Sequence, residues 1–183
     1  AHTNSGTITV SGASLTLTQS GTTPSFTNTG AITIGSGLTW FISGGTLNQN
    51  AGSISGLGTL DLTSLTANFP AGFTNAAQGL NVNNVIVNGP GTLTNAPTQT
   101  LTLISSTINA PLTNQGLLVV HGSNTVNGVL TTVAGAGSVI RVEGANATGT
   151  GTLTVLNGFT NTAAIELTHA NVNQAAQLTV TNG

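Results

Sequence analysis

The sequence predicts an all-β chain wound into a single parallel β-solenoid of about eight rungs, with roughly 19–25 residues per rung. Three observations predict it. The 183 residues hold 35 Thr, 21 Asn and 25 Gly but three Asp or Glu, one Lys or Arg and no Met, so the residues of half-buried strands and tight turns displace the helix formers. An apolar-x-apolar triplet bounded by Gly, Asn or Ser recurs along the chain, the mark of very short strands. The triplets return every twenty-odd residues, the length of one solenoid turn, and at about 4.8 Å per rung the stack is roughly 40 Å long.

In chain order the triplets are Ile8-Thr9-Val10, Leu15-Thr16-Leu17, Ile32-Thr33-Ile34, Leu38-Thr39-Trp40, Leu60-Asp61-Leu62 and Leu101-Thr102-Leu103. They continue with Leu118-Val119-Val120, Ile140-Arg141-Val142, Leu153-Thr154-Val155, Ile165-Glu166-Leu167 and Leu178-Thr179-Val180. Strand alternation sends each flanking apolar pair to the core and each central residue to solvent. Ile140 to Ile165 and Leu153 to Leu178 are both 25 residues, Leu118 to Ile140 is 22 and Leu130 to Leu153 is 23, which reads as two interleaved series on two faces of a coil.

A second marker is apolar-Thr-Asn at Phe26-Thr27-Asn28, Phe73-Thr74-Asn75, Leu93-Thr94-Asn95, Leu112-Thr113-Asn114 and Phe159-Thr160-Asn161, with steps of 47, 20, 19 and 47 residues. Phe26 to Ile32, Leu112 to Leu118 and Phe159 to Ile165 are each six residues, which places the motif at one recurrent corner before one strand series. Asn tolerates left-handed backbone and bonds its own turn, and stacked copies form an amide ladder. A corner ladder of Asn28, Asn75, Asn95, Asn114 and Asn161 is therefore expected, with Gly30 and Gly116 in the same turn. Residues 36 to 90 follow the spacing loosely, but no charged or Pro-rich linker divides the chain, so 1–183 reads as one solenoid domain, whole or part of a longer repeat protein.

The Gly-x-Gly-Thr-Leu and apolar-Thr-Asn-x-Gly-x-apolar patterns resemble the right-handed parallel β-helix repeats of bacterial secreted and surface proteins, such as filamentous haemagglutinin and autotransporter passenger domains, from about Phe26 to Val180. The resemblance implies an extracellular or cell-surface, elongated, non-enzymatic protein of adhesion or scaffolding.

Charge excludes other classes. Arg141 is the sole Lys or Arg, so the cations that neutralise nucleic-acid phosphates are missing, as is the basic face of a peripheral membrane helix. No apolar run reaches the roughly 18 residues of a spanning helix, so no membrane insertion is expected. With 2% charged residues and 38% hydrophobic ones the chain lacks the composition of disorder. It has no Cys for a disulfide or thiolate metal site.

The titratable side chains are Asp61, Glu143, Glu166, Arg141, His2, His121 and His169. Glycoside hydrolysis needs two carboxylates roughly 5–9.5 Å apart. Asp61 is separated from the next carboxylate, Glu143, by several rungs of chain, and Glu166 aligns with Arg141 at the 25-residue step as an inter-rung salt bridge flanked by Glu143. His121 falls one rung before Glu143 and reads as a surface His–carboxylate contact. Nothing selects one Ser as a nucleophile, the three His do not have metal-ligand spacing, and Gly56-Leu57-Gly58 and Gly135-Ala136-Gly137 open no helix that would make a phosphate loop. No catalytic residue, metal or cofactor is expected.

Two surface features remain. Thr-x-Thr pairs at 7/9, 16/18, 100/102, 152/154 and 179/181 resemble ice-binding arrays, but Asp61, Val119, Arg141 and Glu166 occupy outer positions between them. Of Trp40 and Phe41 one must face outward, a contact surface for a neighbouring chain or segment, or for a stacked sugar. The expected function is an extracellular structural or adhesive module, a self-assembling filament or stalk subunit or part of a longer solenoid, with a cell-surface or glycan partner. The alternatives are a carbohydrate- or ice-binding solenoid and, behind them, a polysaccharide-degrading β-helix enzyme.

Overall fold

The computed structural model describes residues 1–135, 137–170 and 174–182. Ala136 of the Gly135-Ala136-Gly137 turn lies outside them. The described residues form 25 strands and no helix, wound into eight rungs of three strands with one strand over. The first rung is β1 (His2–Asn4), β2 (Thr7–Val10) and β3 (Leu15–Thr18); the second is β4 (Ser25–Asn28), β5 (Ala31–Ile34) and β6 (Thr39–Ser43). The third is β7 (Thr46–Gln49), β8 (Ser53–Gly56) and β9 (Thr59–Thr63); the fourth is β10 (Thr66–Asn68), β11 (Phe73–Thr74) and β12 (Gly79–Asn83). Then follow β13 (Ile86–Asn88), β14 (Leu93–Asn95) and β15 (Thr100–Ile104), and β16 (Thr107–Ile108), β17 (Leu112–Asn114) and β18 (Leu117–His121). The last rungs are β19 (Ser123–Val126), β20 (Leu130–Thr132) and β21 (Val139–Gly144), and β22 (Gly151–Val155), β23 (Phe159–Asn161) and β24 (Ala164–His169), before β25 (Ala176–Val180).

Strands pair in parallel with their counterparts one rung on, except that β8 and β11 do not pair. The first face is a nine-stranded sheet from β1 to β25, the third an eight-stranded sheet from β3 to β24, and the second is split into β2-β5-β8 and β11-β14-β17-β20-β23. The long steps of the C-terminal half hold in register, Ile140 with Ile165 and Leu153 with Leu178. The two-face reading is corrected to three. Leu118, Ile140 and Ile165 stack on the third face and Leu153 and Leu178 on the first, while Leu130 belongs to the second, paired with Leu112 and Phe159. An apolar-x-apolar triplet fixes which side of a strand is buried but not which wall of the prism it builds.

Alternation fills the interior with stacked like residues, as in Leu60, Leu80, Leu101, Leu118 and Ile140, all buried. Trp40 points inward, 1% exposed, with its ring edge-on to Phe26 at 5.8 Å and 78°. Alternation assigns Ile165, Leu167 and Val180 to the core, yet they are 37%, 54% and 43% exposed. They hold inward positions of the last rungs, where a neighbour covers one side only.

The corners are built differently from one another. Where the third face turns into the first, Gly44, Ser64, Asn84, Ser105 and Gly122 all have left-handed backbone, with φ of 72°, 52°, 53°, 48° and 65°. Gly and Asn adopt that conformation readily, whereas the two Ser are held there by ladder bonds, Ser64 N–H to the Asn83 carbonyl at 2.9 Å and Ser105 N–H to that of His121 at 3.2 Å.

The expected Asn ladder divides between the other two corners. After first-face strands, the Asn4 amide donates to Asn28 Oδ1 at 2.8 Å and the Asn28 amide to Gln49 Oε1 at 2.9 Å. After second-face strands, Asn75 donates to Asn95 at 2.8 Å and Asn95 to Asn114 at 2.7 Å. Asn161 joins neither: Thr132 occupies the rung between it and Asn114, and its amide donates to the Ala163 carbonyl at 2.8 Å. The same turn chemistry serves either corner, so the shared motif and the shared offset to the next strand do not separate them.

Candidate functional surface

The topology sorts charge by face. Asp61 on β9, His121 on β18, Arg141 and Glu143 on β21, and Glu166 and His169 on β24 all belong to the third face; His2 on β1 is the one titratable side chain elsewhere. Arg141 pairs in register with Glu166, and its Nε lies 2.6 Å from Glu166 Oε2 and 3.7 Å from Glu143 Oε1. His121 Nε2 is 3.6 Å from Glu143 Oε2. These residues form a charged ladder over three rungs. The hydrogen bond with Glu166, opposed by partial desolvation and aided by the Glu166 and Glu143 charges, raises the Arg141 pKa above its ordinary value. Arg141 therefore stays cationic at any pH the fold meets.

The pair lies at the surface, with side-chain exposures of 36% and 44%, so solvent screens it. Glu166→Gln is expected to cost less than about 1 kcal/mol in urea unfolding. A loss several times larger would show that this pair bears structure that its exposure does not suggest. Glu143 and Glu166 are both engaged with Arg141, and Asp61 is four rungs away, roughly 19 Å at the inter-strand spacing.

At the other end of the same face, one outward row runs Thr16, Phe41, Asp61, Asn81 and Thr102, one residue per rung in register. Because Trp40 is core, the Trp40–Phe41 contact surface reduces to Phe41, which is 42% exposed. Asp61 beside it accepts a hydrogen bond from the Thr63 hydroxyl on Oδ1 at 2.9 Å and from the Asn81 amide on Oδ2 at 3.2 Å.

The first face is uncharged beyond His2 and carries two parallel rows. One is Thr46, Thr66, Ile86, Thr107, Thr125, Thr154 and Thr179. The other is an amide ladder that the tripeptide motif does not reveal, in which Asn68 donates to Asn48, Asn88 to Asn68, Asn109 to Asn88 and Asn127 to Asn109 at 2.8, 3.0, 2.8 and 2.7 Å. Four of these five Asn end a Thr-apolar-Asn tripeptide, Thr46-Leu47-Asn48, Thr66-Ala67-Asn68, Thr107-Ile108-Asn109 and Thr125-Val126-Asn127, with Ile86-Val87-Asn88 the exception, and that motif returning at close to one rung was the available signal. An open groove of about 540 Å³ indents this face at Ala1, Pro24, Ser25, Gly45, Thr46 and Asn48.

The Thr-x-Thr pairs do not form one array. Thr7/Thr9 lie on the second face, Thr16/Thr18 and Thr100/Thr102 on the third, Thr152/Thr154 on the first, and Thr179 on the first with Thr181 just past β25. The interrupting Asp61, Val119, Arg141 and Glu166 all sit on the third face.

Among the described residues no three His, Asp or Glu converge as a metal site. No helix among the described residues is long and apolar enough to cross a membrane. Comparison with protein-family models, with characterised proteins and with solved structures finds no match.

Proposed function

We propose that this chain is an extracellular, non-enzymatic structural and adhesive module that self-associates in a surface stalk or filament. The observation that carries this reading is the sorting of charge. The third face holds the ionic groups, and the first runs the length of the solenoid as an uncharged Thr and Asn surface. No like-charge repulsion opposes laying such a face against another chain. The repeat patterns that resemble bacterial surface β-helices support the same reading.

Sedimentation and electron microscopy test it. The molar mass should rise with protein concentration, to elongated particles, with little change between low and high salt. Thr107→Lys, which puts a charge in the uncharged Thr row of the first face, should lower the association. A monomer at high concentration in every salt would remove self-association from the function.

A further inference from the structure

We propose that Phe41, Asp61 and Asn81 form a binding subsite for a neutral hexopyranose glycan, which rests on the adhesive reading above and gives it a ligand class and a place. The three side chains stand outward on adjacent strands of the third face, Phe41 opposite Asp61 and Asp61 opposite Asn81. One rung separates each from the next, so the row spans about 10 Å, within reach of one pyranose ring and its substituents.

A pyranose needs an apolar platform for its C–H face and fixed acceptors for its hydroxyls, and this row supplies both. The Phe41 ring has an electron-rich face, and it is the one aromatic side chain among the largely exposed apolar residues of the described chain. The Asp61 carboxylate is held from both sides, by the Thr63 hydroxyl at 2.9 Å and the Asn81 amide at 3.2 Å. Each carboxylate oxygen keeps a free lone pair, and Asn81 Oδ1 accepts no hydrogen bond among the described residues. Two vicinal hydroxyls can therefore donate to an acceptor pair whose orientation is set before binding.

Charge and desolvation choose the ligand. Covering Phe41 with an apolar protein surface would bury the adjoining carboxylate without a cation, which is costly, whereas a sugar covers the ring and satisfies the carboxylate together. Sialylated or sulfated glycans are disfavoured, since Asp61 repels them and Arg141, four rungs away, is already bound to Glu166 and Glu143. That leaves a neutral hexose chain.

Saturation-transfer NMR with neutral glucose, galactose and mannose hexaoses, and with a sulfated heparin hexaose as counter-probe, tests the site. Transfer should appear for at least one neutral hexaose and not for heparin. Phe41→Ala and Asp61→Asn should each weaken binding about tenfold or more, with the circular dichroism of the wild type. The proposal is overturned if no neutral hexaose receives transfer, if both variants bind as the wild type does, or if heparin is preferred. Sedimentation of Phe41→Ala separates the two readings: unchanged association without sugar binding in the wild type removes this subsite alone, and sugar binding by a strict monomer removes the self-associating module alone.

Discussion

Replacing Asn95 with Leu is expected to destabilise the protein by about 4 kcal/mol, because it takes hydrogen-bond partners from three buried or half-buried groups at once. Asn95 is fully buried, donates to Asn114 Oδ1 at 2.7 Å and to the Leu117 carbonyl at 3.1 Å, and accepts from Asn75 at 2.8 Å. A Leu of similar volume leaves the Asn114 oxygen without a donor and takes from Asn75 one of its acceptors, while the Leu117 carbonyl keeps only its ladder bond to β15, at about 1–3 kcal/mol for each group left unpaired. Asn109→Ala is the contrast. Its ladder has nearly the same bond lengths, 2.8 and 2.7 Å, but faces water, which replaces the lost partner, so the change should stay within about 0.5 kcal/mol. Urea unfolding of the two variants decides: equal losses would mean that burial does not set what an amide ladder contributes here.

Trp40→Ala is the other large effect, expected at about 3–5 kcal/mol, the usual cost of truncating a buried Trp. Its ring fills the second rung against Phe26. The indole N–H has no hydrogen-bond partner among the described residues, so Trp40→Phe, which gives up volume but also removes that orphan, should cost far less. Phe41→Ala next to it should change stability within about 0.5 kcal/mol, since its side chain is on the outside. Thermal and urea melts of the three variants check the order. A Phe41 effect as large as that of Trp40 would mean that the two rings had been assigned to the wrong sides of β6.

The same pair shows what a sequence of this kind reveals. Alternation requires one of two adjacent aromatic residues to face solvent, the triplet Leu38-Thr39-Trp40 gives the inward place to Trp40, and the register sets it between Leu15 and Leu60. The repeat length and the pairs 140 with 165 and 153 with 178 were legible because an apolar core repeats wherever rungs stack. The Arg141–Glu166 bridge was legible because it lies on one of those steps. The third wall was not, since nothing in a three-residue strand names its neighbours. The left-handed corner was hidden by Ser64 and Ser105, which stand where Gly or Asn would have marked it. Phe41 and Asp61 belong to separate strands of an irregular stretch, and only the observed register brings them side by side.

The chain travels much farther from Val126 to its first-face partner Val155 than from Ile108 to Val126, yet both pairs are parallel and stacked. Part of the surplus is a turn that closes on itself, where Ala145 N–H bonds the Gly149 carbonyl at 2.9 Å and leaves β21 and β22 in place. Walls and corners thus obey different rules of inheritance. A one-residue deletion within a strand would turn its core side chains outward, while a stretch gained between 145 and 149 leaves every pairing as it was. New protruding loops can accumulate at that corner without the fold being renegotiated, and a peptide grafted there would be displayed on a rigid post.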